Sequence, residues 1–133
     1  MPHAKVYATA GRTSEQKRAL LESVHSALVE SLEIPEWDRQ VRLIELADDE
    51  VALPDENDKA SYVLVEVFGF PRALEVKRDL YAALIKHLAK VDIDPNDTKV
   101  NYYDIGADDW GIAGVAASDL AAQGGTRNWK ARY

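Results

Sequence analysis

The chain contains a copy of itself. Displacing the sequence by 60 residues lays Arg12, Glu15, Lys17, Arg18, Leu20, Leu28 and Pro35 onto Arg72, Glu75, Lys77, Arg78, Leu80, Leu88 and Pro95, seven identities in 24 positions without a gap. Average composition would yield roughly one or two. The sequences flanking the match correspond as well. The fold is therefore built from two similar units, each of which must bury its apolar face against the other.

Each unit reads as strand, helix, strand. In the first, residues 3–9 alternate as a short strand with Val6 and Tyr7. Gly11 turns the chain. Thr13, followed three residues later by Gln16, is a capping-box signature for a helix start. Leu20, Leu21, Val24, Leu28 and Leu32 keep helical spacing. Pro35 punctuates, and residues 40–46 form the second strand. The second unit repeats the order: strand 61–68, helix from about Arg72 to Ala89 with Leu80, Leu84 and Leu88 on one face, Pro95, then strand 99–105. A helix between two strands implies a right-handed parallel crossover. Two such units predict one four-stranded sheet with both helices on one face. The other face is left bare and calls for a second copy of the chain.

Length and composition set bounds on this architecture. The 133 residues suit a single domain, with 47% hydrophobic and 29% charged residues. We read residues 1–46 as the first unit, 47–60 as a connecting loop, 61–119 as the second unit and 120–133 as a tail. The net charge of −7 disfavours a nucleic-acid partner, whose phosphates are met by Lys and Arg. Six acids (Asp48, Asp49, Glu50, Asp55, Glu56 and Asp58) crowd the connecting loop in a spacing that matches no calcium loop, so it reads as a solvated segment. The absence of cysteine excludes disulfides and thiol chemistry. No apolar run approaches a membrane span, and the first residues lack the apolar core of a signal peptide. The expectation is a cytoplasmic protein with no membrane partner. His3, His25 and His87 form no ligand set: His25 and His87 lie on different helices and do not match across the repeat.

Two segments resemble a known family. Gly11-Arg12-Thr13-Ser14-Glu15-Gln16-Lys17 is similar to the turn and helix start of the 4-oxalocrotonate tautomerase family. Trp110-Gly111-Ile112-Ala113-Gly114-Val115-Ala116-Ala117-Ser118 resembles its aromatic-Gly-Ile-Gly-Gly segment. Between them, Ala19-Leu20-Leu21, His25, Ala27, Val29-Glu30, Pro35-Glu36 and Asp38-Arg39 are similar to the duplicated malonate semialdehyde decarboxylase family. Over residues 2–119 the chain is identified as a member of the tautomerase superfamily, whose catalytic group is the amine of an N-terminal proline. The resemblance implies an α/β fold of the tautomerase (MIF-like) type. It also implies a homotrimer with active sites around the N-terminal prolines, and chemistry without metal or organic cofactor.

The family pattern picks out candidate residues. Pro2, exposed once Met1 is removed, carries a secondary amine. An ordinary α-amino group titrates near ~7.7–8.0, and burial with nearby arginines lowers that value, so the amine can act as base or acid near neutrality. Arg72 opens the second helix and can fork onto a substrate carboxylate. Where the decarboxylase family reads Arg-Pro-Arg, this chain reads Phe70-Pro71-Arg72, so one cation of that clamp is replaced by an aromatic ring. Asp38 matches the decarboxylase aspartate; it can orient water or raise the proton affinity of the amine, or cap its loop and pair with Arg39. Trp110 and Phe70 are candidates for an aromatic wall that excludes water. Arg42, in Val41-Arg42-Leu43-Ile44, corresponds to a substrate-binding arginine of the family if a two-residue insertion is allowed. Arg12 belongs to the unit that carries Pro2 itself and reads as structural. Of Tyr102 and Tyr103, one faces the helices and the other a subunit or pocket. The dehalogenase branch uses a late carboxylate, but no glutamate follows Trp110 here. The tail, with Gly124-Gly125, Trp129, Tyr133 and three basic residues, either clasps a neighbouring subunit or is disordered.

These residues point to a small carboxylated enol or 2-oxo acid as substrate and to keto–enol tautomerisation as the reaction. Decarboxylation or hydration of a three-carbon oxo acid is the near variant. A catalytically silent trimeric binding protein is the contrasting reading, kept open by Phe70.

Overall fold

The computed structural model describes residues 2–122. Met1 and the tail from Gln123 onward lie outside the described residues. Strands and helices alternate as the duplication requires: β1 (His3–Thr9), α1 (Ser14–Leu32), β2 (Val41–Leu46), β3 (Val63–Gly69), α2 (Leu74–Ala89) and β4 (Thr98–Asp104). A small hairpin, β5 (Gly111–Ile112) and β6 (Val115–Ala116), leads into α3 (Ala117–Ala122). The sheet order is β2-β1-β3-β4. Within each unit the strands are parallel, and the units meet along antiparallel β1 and β3.

Local chemistry accounts for the helices. The Thr13 side chain accepts from the Gln16 backbone N–H at 3.2 Å, and the Gln16 side chain accepts from the Thr13 N–H at 2.9 Å, which completes the expected capping box. At the far end Glu33 adopts a left-handed conformation (φ 54°) and its N–H returns to the Val29 carbonyl. The apolar stripes of the two helices meet the same sheet face. Leu20, Val24, Leu28 and Leu32 from α1 and Leu80, Leu84 and Leu88 from α2 are sealed against Ala4, Val6, Ala8, Val63, Val65 and Val67. Outside this core, Glu30 ties the helices together by accepting from His87 Nε2 at 2.7 Å and from the Lys86 ammonium.

The helices repeat at 60 residues and the strands do not. Leu20 and Leu80, Val24 and Leu84, Leu28 and Leu88 are equivalent buried pairs. In the strands the core-facing residues are Ala4, Val6 and Ala8 against Val63, Val65 and Val67, which stand 59 apart. A one-residue slip turns every side chain of a strand to the other face, so the extra residue must be absorbed before the helix. It is absorbed in the turn, where Phe70-Pro71 precedes Arg72 and Gly11, at φ 137°, precedes Arg12.

The antiparallel meeting of β1 and β3 sends the two units to opposite ends of the sheet. One end gathers Pro2, the segment before β2, the turn after β3 and the segment after β4. The other gathers Thr9–Arg12, the connecting loop and the start of β3. That acidic loop is held by one buried carboxylate: Asp97 Oδ1 accepts from Asn57 Nδ2 at 3.0 Å and from the Asp58 N–H at 3.1 Å.

Candidate active site

Pro2 is buried at the first end of the sheet. It precedes β1 and stands level with Gly69, because His3 pairs with Phe68 in the antiparallel register. The site closes tightly at that point. A Cβ on Gly69 would stand 2.6 Å from Tyr102 Oη and 3.2 Å from Pro2 Cβ. Glycine is therefore demanded by the approach of two side chains. Gly69→Ala is expected to displace the tyrosine and the proline ring together, at a cost of about 1–3 kcal/mol for overpacking. A thermal melt and a turnover assay check this, and unchanged values in both would contradict the close approach.

Tyr102 faces the helices, answering the question the sequence left open, and Tyr103 lies on the bare face. The Tyr102 hydroxyl donates to the Phe70 carbonyl at 2.7 Å. The guanidinium of Arg72, which is 6% exposed, lies close enough for its charge to act on that hydroxyl. Burial pushes the phenol pKa up, and the positive charge of Arg72 opposes that rise. Arg72 thus reaches the Pro2 end through a tyrosine that was not among the expected site residues. The signal for Tyr102 was strand parity: it shares the core face with Val100, which only the true register of β4 reveals.

Asp38 comes to the same end from the other side of β1. It is 7% exposed, and Gln40 Nε2 donates to its Oδ1 at 3.0 Å. The Gln40 carbonyl in turn accepts from the Ala4 N–H at 2.8 Å, which fastens this segment to the start of β1. The aromatic residues form the outer boundary. The Trp110 indole N–H donates to the Ile105 carbonyl at 3.3 Å. Its ring meets Phe70 edge-on with centroids 5.8 Å apart, and meets His3 at the same separation. The β5–β6 hairpin and α3 brace it, with the Ala117 N–H donating to the Trp110 carbonyl at 2.8 Å.

Arg42 stands near this end of the sheet but on its other face. It pairs in register with Lys5 and is exposed on the bare face, opposite the helices. That face carries an aromatic row in which Phe68 stacks between His3 (4.8 Å) and Tyr103 (4.6 Å), with the Lys5 ammonium over the Phe68 ring. The His3 pKa is lowered by burial first, then by the charges of Arg42 and Lys5. The start of β1 is thus a place where added positive charge is disfavoured.

Arg12 makes a structural contact at the opposite end, donating from Nη2 to the Ser61 carbonyl at 3.2 Å. A cavity of about 600 Å³ opens there beside Arg12, Glu15, Asp58, Ser61 and Asp92. Its three carboxylates repel an anionic substrate, and the chain runs unbroken through Ser61, so no free amine is offered. Among the described residues, no three His, Asp or Glu side chains are grouped to hold a metal ion. No helix there is long and apolar enough to cross a membrane.

Comparison with known proteins agrees with this fold. Residues 38–113 match the profile of one family described as tautomerase enzyme, and residues 2–61 match a second profile with the same description. No curated protein matches the sequence. Among solved structures, a malonate semialdehyde decarboxylase studied for its decarboxylase and hydratase activities is 28% identical, with a TM-score of 0.81 over 91% of this chain and 98% of its own. A native fused 4-oxalocrotonate tautomerase is 29% identical, with a TM-score of 0.81 over 90% and 98%. A fused 4-oxalocrotonate tautomerase that forms a symmetric trimer is 32% identical, with a TM-score of 0.72 over 86% and 95%.

Proposed function

The chain belongs to the tautomerase family, and from that premise we propose that it interconverts the enol and keto forms of a small carboxylated substrate, with the Pro2 amine carrying the proton. The observation that supports this reading is the convergence at one end of the sheet of Pro2, the Arg72–Tyr102 pair and buried Asp38. The neutral amine takes the proton from the enol hydroxyl. As the C–O π bond forms, the ammonium returns the proton to the carbon at the other end of the former double bond. The Arg72 guanidinium holds the substrate carboxylate through charge-assisted hydrogen bonds and draws electron density toward it. The Tyr102 hydroxyl and the Asp38 carboxylate fix the polar edge of the site. Phe70 and Trp110 keep water from the apolar edge, which strengthens the charge interactions inside.

The reading includes a homotrimer, supported by the bare aromatic sheet face and by the trimeric fused tautomerases among its relatives. Stacking copies around that face brings the exposed Arg42 of one protomer toward a neighbour, the role we assign to it. The mechanism uses no metal or organic cofactor.

Decarboxylation or hydration of a three-carbon oxo acid is the second reading, supported by the similarity to malonate semialdehyde decarboxylase and by the buried carboxylate of Asp38. Phe70 separates the two. Phe70→Arg restores the Arg-Pro-Arg pattern and is expected to raise decarboxylation of malonate semialdehyde above the wild-type rate, while lowering turnover of aryl enols that use the ring. Release of carbon dioxide measured for both proteins checks this; equal rates would remove Phe70 as the discriminating residue. Ketonisation of 2-hydroxymuconate and of phenylenolpyruvate by the wild-type protein tests the primary reading. Turnover of neither would overturn it.

A further inference from the structure

His25 is 2% exposed on the inner side of α1, and the mechanism above gives it no part. Its Nε2 lies 2.9 Å from the Glu36 carbonyl. A carbonyl only accepts, so the proton of this ring sits on Nε2 and the hydrogen bond runs from helix to turn. The same nitrogen is 3.5 Å from the Glu36 carboxylate. The ring's other nitrogen, Nδ1, is buried without a hydrogen-bond partner, so the polar contacts of the side chain all go to this one turn. The turn is Pro35-Glu36-Trp37-Asp38-Arg39. It is narrowed by the Asp38 N–H donating to the Pro35 carbonyl at 3.0 Å and by the Arg39 N–H donating to the Trp37 carbonyl at 2.9 Å. A second tether ties it to α1 from outside: the Arg39 guanidinium bridges the carboxylates of Glu22 on the helix and Glu36 on the turn, the latter at 2.7 Å. Between the two tethers stands Asp38, held inward while Trp37 beside it is 57% exposed.

We propose that His25 is a positioning residue for Asp38: with Arg39 it clamps the 35–39 turn to α1 and so fixes where the Asp38 carboxylate stands relative to Pro2. This rests on the reading of Asp38 as a site residue. The repeat supports a role particular to this end of the molecule. The position equivalent to His25 in the second unit is Ile85, an apolar side chain that is only half-buried. A histidine in the first unit is tied to what the first unit carries, which is the turn holding Asp38.

The test compares His25→Leu, His25→Gln, Arg39→Met and Asp38→Asn in the full-length protein, by thermal melt and by the pH profile of kcat/KM. His25→Leu keeps apolar bulk and removes the donor. His25→Gln carries an amide N–H at nearly the reach of Nε2. Arg39→Met releases the outer tether at a half-exposed position that leaves the core intact. Freeing the turn moves negative charge away from the amine, so the acid limb of the profile moves to lower pH, the direction expected for Asp38→Asn. His25→Leu is expected to lose about tenfold in kcat, the sensitivity usual for a displaced reacting group, with that shift of the limb. His25→Gln is expected to recover both, and Arg39→Met to show the shift in milder form. If His25→Leu lowers the melting temperature but leaves kcat and the profile unchanged, His25 serves the core alone and the proposal fails. Should His25→Leu not fold, an unshifted profile in Arg39→Met overturns it. If Asp38→Asn itself is wild type in rate and profile, the site reading of Asp38 falls first and this inference with it.

Discussion

Pro2→Ala is expected to lower turnover by at least about a hundredfold, within the ~10²–10⁴ range of a lost general base. The substitution keeps an amine at the chain start and removes the ring that holds it. Pro2 is buried level with Gly69, and its ring carbon stands against the space that Gly69 keeps open. A primary amine on an unconstrained first residue loses that placement, and small misplacements of reacting groups are costly. The pH dependence follows from the sign of the charge. Only the neutral amine accepts a proton, so kcat/KM rises with pH through the amine titration. That midpoint is expected below the ordinary ~7.7–8.0 of an α-amino group. The same pressure is visible one residue away at His3, where burial and the charges of Arg42 and Lys5 already work against protonation. Rates from pH 5 to 9 for both proteins check the prediction. A flat wild-type profile would exclude the amine as base, and a Pro2→Ala protein within threefold of wild type would remove the ring's placement of the amine from the account.

Arg72→Ala is expected to divide substrates by charge. The guanidinium is buried, and its charge acts on the Tyr102 hydroxyl. For a carboxylated enol, its removal deletes a charge-assisted contact of ~1.5–3 kcal/mol, more than tenfold in kcat/KM at the upper end. An uncharged enol of similar size never used that contact and should lose far less. Arg72→Lys keeps the charge and loses the fork, so it should fall between the two. The comparison is kcat/KM for one carboxylated and one uncharged enol across the three proteins. Equal losses on both substrates would make Arg72 a support for Tyr102 and would remove it from the substrate.

Much of this was legible in the residues because the duplication speaks twice. Helical spacing of Leu20, Val24 and Leu28, echoed by Leu80, Leu84 and Leu88, located both long helices, and Thr13 with Gln16 marked where the first begins. Strand limits came within two residues of those observed. The parity slip between strands and helices was invisible, since the identities that reveal the repeat begin at Arg12 and Arg72, after the slip. Tyr102 escaped for the same reason: its face depends on the register of β4 against β3. The small hairpin escaped because its turn is Ala113-Gly114, at φ 51° and 82°. Both values are positive, as a tight two-residue turn between paired Ile112 and Val115 requires, yet alanine gives no warning of such a conformation. Pro2, Asp38, Phe70, Arg72 and Trp110 were named from family resemblance, and the topology brings all five to one end of the sheet. Arg42 was named with them and lies on the bare face, in register with Lys5.

The central claim is that one secondary amine carries the proton, and nitrogen NMR of protein labelled with ¹⁵N-proline reads that amine directly. The Pro2 resonance, assigned by its loss in Pro2→Ala, should titrate in a single step with a midpoint below ~7.7, coincident with the rising limb of kcat/KM. A Pro2 nitrogen that shows no titration between pH 5 and 9, or that titrates away from the kinetic limb, would contradict the account.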